Sequence, residues 1–157
     1  MSDLIEQGGF TANYTGNRLQ NFVEHTLVEK GYTYIDKSKF KPATYLEQPI
    51  YSKQFFLGQS IYETNSYCDF ILYNPEKYKD CLVIECKWQQ SGGSVDEKYP
   101  YLVLNMQMRY PYKSILLLDG GGYKKGAKDW IKKQIGNSLQ HVFDMTEFQK
   151  WVNQGNI

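Results

Sequence analysis

The sequence predicts an α/β fold in which one mixed β-sheet is flanked by helices. Three observations carry this: a helix-period apolar stripe near the start, short β-branched and aromatic runs in the middle, and alternating apolar strands and helical segments from residue 81 onward.

The first element is a helix over about 17–30, where Leu19, Phe22, Val23, Thr26 and Leu27 form one stripe. Asn17 with Gln20 three residues on reads as a capping-box-like start, and Gly31 as the stop. From about 43 to 73 the runs "ATYLEQPIY", "FFLGQSIYE" and "YCDFILY", broken by Pro49, Gly58 and "TNS", predict two or three strands joined by turns. "NPEKYKD" is a turn by composition, and "CLVIECKW" at 81–88 is apolar enough for a central strand. "SVDEKYPYLVLNMQMR" predicts a helix that tolerates Pro100 only near its first turn. "SILLLD" at 114–119 follows as a strand, "KKGAKDWIKKQIG" as a short basic helix, "HVF" as a last short strand, and "EFQKWVNQ" as a terminal helix capped by Thr146.

The 157 residues suit one domain, and 41% apolar with 22% charged residues is a globular composition. No segment approaches a membrane span or a secretory leader, and Cys68, Cys81 and Cys86 lie in or beside strand-like runs with no CxxC. They read as reduced, buried thiols, so the expectation is a cytoplasmic protein with no membrane partner. A net charge of +1 excludes a global basic field, yet between Arg109 and Lys133 seven cations face only Asp119 and Asp129. Lys124, Lys128 and Lys132 are spaced to share one helix face, either solvated or contacting phosphates. "GGGYKK" lacks the order of a phosphate loop, and the isolated His25 and His141 read as structural or surface residues.

The chemistry concentrates on the strand "CLVIECKW". Residues i and i+2 of a strand face the same way about 6.6–7 Å apart, so Glu85 and Lys87 share a face with Val83 while Leu82, Ile84 and Cys86 fill the other. Asp69 lies in the preceding run, where hairpin pairing brings its carboxylate beside Glu85. Two neighbouring carboxylates repel until a proton or a cation intervenes, and such oxygen ligands suit Mg²⁺, with Mn²⁺ able to substitute. With a lysine beside them, this donor set fits phosphodiester hydrolysis.

These residues resemble the PD-(D/E)XK nuclease superfamily, the restriction-endonuclease-like fold, whose signature is an acid on one strand and E-x-K on the next. Asp69 stands at the first acid and "ECK" at 85–87 matches the second half; the resemblance spans roughly residues 14–135. Two positions depart from the pattern. Cys68 replaces the proline before the first acid, and Gln20 occupies the first-helix position where many relatives carry Glu, with Glu24 one turn further along. The resemblance implies Asp69, Glu85 and Lys87 as catalytic residues. Metal would be held by Asp69, Glu85, the Cys86 carbonyl and the helix acid Glu24. It implies DNA contacts from Gln89 and from Ser91, Ser94 and Lys98 in the Gly-rich turn, to which the basic helix would add Lys124, Lys125 and Lys128. The implied activity is a Mg²⁺-dependent DNA endonuclease, most like a small type II restriction endonuclease cutting duplex DNA as a homodimer. A junction resolvase or repair nuclease, and a non-catalytic DNA-binding subunit of the same fold, are the alternatives.

Overall fold

A computed structural model describes residues 7–90, 92 and 94–157, with side chains described from residue 17 and not at 94 and 95. Helix α1 spans Gln7–Glu29, beginning ten residues before the expected start, so Asn17 is interior and not a cap. Gly8, Gly9 and Gly16, poor helix formers, hid that first half from propensity reasoning. Its end falls as expected: Gly31 at φ +91° lets Tyr32 N–H fold back onto the Leu27 carbonyl at 3.0 Å.

A two-residue strand β1 (Thr33–Tyr34) and a run of short helical turns, including α2 (Phe40–Ala43), come next; the periodicity predicted neither. The expected strand at 43–51 is therefore helical over its first four residues, and β2 (Ile50–Gln59) absorbs its last two residues together with "FFLGQ". Strands β3 (Asn65–Asn74) and β4 (Tyr78–Trp88) follow as an antiparallel meander.

The chain then enters a helical turn (Ser94–Lys98) and α3 (Tyr99–Met108), with Pro100 in the first turn, where its missing N–H costs no helix bond. Strand β5 (Lys113–Asp119) returns parallel to β4, and after α4 (Lys125–Lys132) strand β6 (Leu139–Phe143) returns parallel to β5. Helix α5 (Met145–Trp151) starts at Asp144 and not at Thr146. Asp144 Oδ1 accepts the Glu147 N–H at 2.7 Å, and Glu147 Oε1 accepts the Asp144 N–H at 3.0 Å, a reciprocal box two residues before Thr146.

The six strands lie in chain order and pair both parallel and antiparallel, so the sheet is mixed, and the helices on its faces make the fold α/β as expected. On one face Leu19, Val23 and Leu27 of α1 pack with Phe148 and Val152 over Leu82, Ile84, Ile115 and Leu117. On the other, Phe40, Tyr99, Val103, Met106 and Ile131 cover Val83, Leu116 and Leu118. Strand alternation thus divides β4 as the sequence implied, and it leaves Glu85 on the α3 face with Val83.

Candidate active site

The β3–β4 ladder pairs Phe70 with Ile84 and goes no further toward the strand end that carries the acids. Asp69 and Glu85 are the next residues along, where the strands part. Two features mark this point. Gln54, near Asp69 on β2, adopts the left-handed conformation at φ +53°, and Cys68 and Phe70, two apart on β3, pack into opposite cores. The Asp69 carboxylate reaches β4 here, where Oδ2 accepts the Cys86 N–H at 2.8 Å. A backbone amide that would otherwise lack a ladder partner is thereby satisfied, and the first acid is fixed beside the second.

Glu85 is only 4% exposed. Burial, followed by the neighbouring Asp69 charge, raises its pKa well above the ordinary carboxylate range; the Tyr110 hydrogen bond and Lys87 act the other way. Tyr110 donates its hydroxyl to Glu85 Oε1 at 2.9 Å, and its own burial and the Glu85 charge push that hydroxyl up, so it stays a donor. Lys87 is exposed at the mouth of a cavity of about 490 Å³ that it shares with Glu85, Tyr67, Lys98, Tyr99, Tyr101 and Tyr110. Asp69 is met from the α1 side, where Gln20 Nε2 donates to its Oδ1 at 3.2 Å.

Glu24 stands apart from these acids. Tyr51 donates its hydroxyl to Glu24 at 2.6 Å and Lys53 pairs with it at 3.1 Å, so the helix acid is engaged by β2 while Gln20, one turn earlier, meets Asp69. Among the described residues no group of three or more His, Cys, Asp or Glu is placed to hold a metal ion. The donor set is therefore two carboxylates. The adjacent thiols are poor ligands, because burial and the nearby carboxylates push both Cys68 and Cys86 up and keep them neutral. Such a set fits a hard divalent cation that keeps water in its shell.

Gln89, expected to face DNA, turns inward at 5% exposure. Tyr99 donates its hydroxyl to Gln89 Oε1, Gln89 N–H donates to the Asp119 carbonyl at 3.0 Å, and Gly122 N–H donates to the Gln89 carbonyl at 2.7 Å. Gly120 makes this possible, since at φ +106° a Cβ there would sit 2.4 Å from the Gln89 oxygen. Ser91 and the Ser94 side chain lie outside the described residues. Lys98 reaches the cavity wall, and Lys124 and Lys125 are exposed.

Lys128 departs from the expected patch. It lies 3.6 Å from Asp144 and over the Tyr123 ring, while Lys132 pairs with Glu147 at 2.9 Å. Lys128 and Lys132 of the stripe read from the spacing thus face the acidic start of α5, while Lys124 stays exposed. Sequence reasoning missed Tyr110 and the direct role of Gln20. Nothing in "RYPY" signals that Tyr110 lies under Glu85, because that contact depends on how α3 crosses the sheet.

A family model described as the PD-(D/E)XK nuclease superfamily domain matches residues 11–156. Neither a curated protein nor a solved structure matches the chain.

Proposed function

The chain belongs to the PD-(D/E)XK nuclease superfamily, and on that premise we propose that it is a Mg²⁺-dependent endonuclease that hydrolyses phosphodiester bonds of DNA. The observation that carries the reading is the Asp69 carboxylate held on the Cys86 N–H, beside buried Glu85 and two residues from exposed Lys87. Members of this superfamily generally use divalent metals; the choice of Mg²⁺ rests on the all-oxygen donor set.

Asp69 and Glu85 would hold the cation, with the Cys86 carbonyl as a further oxygen donor. When bound, the cation supplies a charge that polarises the phosphoryl oxygens and acidifies a water molecule. Lys87 orients the attacking water and offsets negative charge that develops on the phosphate. Tyr110 holds the Glu85 carboxylate in one rotamer, and Gln20 does the same for Asp69 with a neutral donor. The exposed Lys98, Lys124 and Lys125 meet the DNA backbone.

Incubation of a supercoiled plasmid panel with Mg²⁺ tests this. Cleavage that disappears in Lys87→Ala and on chelation supports the assignment; a Lys87→Ala protein that cuts as well as wild type removes it. Discrete bands would mark the finer form, a type II restriction enzyme, in which one centre per chain calls for a twofold dimer on a palindromic site. A structure-selective nuclease instead leaves relaxed duplex largely intact and cuts unpaired or branched DNA.

A further inference from the structure

We propose that the rim of the acid-bearing cavity is a stacking platform for an unpaired nucleobase, making DNA with single-stranded or splayed ends the substrate class of this site. This rests on the nuclease reading and selects its structure-selective form.

The platform is built from two elements. At the tip of the β2–β3 hairpin, Tyr62 is 72% exposed and stacks on Tyr101 of α3, with ring centroids 4.8 Å apart and planes 24° apart. Tyr101 is also a wall of the cavity that contains Glu85 and Lys87, so the slab is continuous with the chemistry. Tyr67, another wall residue, leans on Phe56 with centroids 5.6 Å apart, and both rings are about half exposed.

Single exposed aromatics are ordinary on a protein surface, but this slab is held in place. Ser60 accepts the Tyr62 N–H at 3.2 Å and lies 2.8 Å from the Thr64 hydroxyl, while Ser60 N–H donates to the Thr64 carbonyl at 2.8 Å. Buried Asn105 ties the tip to α3: its Oδ1 accepts the Ile61 N–H at 2.8 Å, and its Nδ2 donates to the Tyr101 carbonyl at 3.0 Å. The hairpin therefore presents Tyr62 without further ordering on binding, which lowers the entropic cost of capture.

Its occupant follows from the chemistry around it. A flat ring with one open face recruits another π-face, and in duplex DNA those faces are covered by neighbouring base pairs. Lys98 and Lys87 line the same cavity and suit the phosphates of the strand that carries the base. An unpaired nucleotide satisfies both the ring and the cations.

The test compares one DNA sequence as a blunt duplex and as a fork with unpaired arms, for wild type, Tyr62→Ala and Tyr62→Phe, reading cleavage with Mg²⁺ and binding by fluorescence anisotropy. Wild type and Tyr62→Phe are expected to favour the fork at least tenfold, and Tyr62→Ala to lose most of that preference. Equal use of fork and duplex by wild type overturns the inference and leaves the nuclease reading standing. So does a Tyr62→Ala protein with unchanged preference, or one that loses both substrates equally. Tyr62-dependent binding of the fork without cleavage keeps the platform and removes the nuclease reading; no binding and no cleavage removes both.

Discussion

Gln20 donates its side-chain amide to Asp69 Oδ1 at 3.2 Å, so α1 meets the acid pair through a neutral donor where a third carboxylate could stand. Gln20→Glu would place like charges together without metal and an additional oxygen ligand with it. We expect a lower melting temperature in chelator and tighter Mn²⁺ binding by calorimetry, on the order of tenfold.

Glu24→Gln is the matching control. It removes the ion pair with Lys53 and leaves Asp69 and Glu85 untouched. The partly exposed pair contributes ~0.2–1 kcal/mol, so a slightly less stable protein with an unchanged Mn²⁺ isotherm is expected. A weakened isotherm would return Glu24 to the metal site.

Lys87→Ala separates chemistry from folding. The side chain is exposed, so chemical denaturation should move by less than about 0.5 kcal/mol, while single-turnover cleavage falls by roughly 10²–10⁴-fold.

Glu85→Gln should stabilise the metal-free protein at neutral pH. A carboxyl whose folded pKa is raised binds its proton more tightly when folded, so its contribution is full below the unfolded value of about 4.3 and is lost as pH rises through the folded value. The melting temperature of Glu85→Gln should therefore match wild type at low pH and exceed it increasingly as pH rises to 8, by roughly 2–4 °C for each kcal/mol gained. Mg²⁺ should erase the advantage, because the cation stabilises only the wild-type carboxylate.

Gly120→Ala addresses the junction between β4 and β5. The new Cβ would lie 2.4 Å from the Gln89 carbonyl oxygen at a φ of +106°, and a flexible side chain is not what must yield. A loss of about 1–3 kcal/mol or more in urea denaturation is expected.

The sheet and the acid pair were legible in sequence for a local reason. β4 alternates cleanly, and alternation alone puts Glu85 with Val83 and apart from Cys86. The Asp on the preceding strand needed only a hairpin. What stayed hidden depends on crossings between distant elements: Gln20 on Asp69, Tyr110 under Glu85, and the burial of Gln89 against the β5 loop. The short helices at 37–46 were hidden because "ATYL" suits strand or helix equally, and the cap of α5 because both Asp144 and Thr146 are good capping residues.

The pairing of Lys128 with Asp144 and of Lys132 with Glu147 has a consequence for ionic strength. Cations already neutralised within the fold release few counterions when DNA arrives. Lys87, Lys98, Lys124 and Lys125 remain exposed, and four phosphate contacts give a slope of log K against log salt of about −3 to −4, fewer decades of affinity lost to salt than a fully solvated basic helix would bring. On the proposed reading, shape and stacking would hold DNA more than charge does, and cleavage should persist in salt that strips more basic proteins from the same strand.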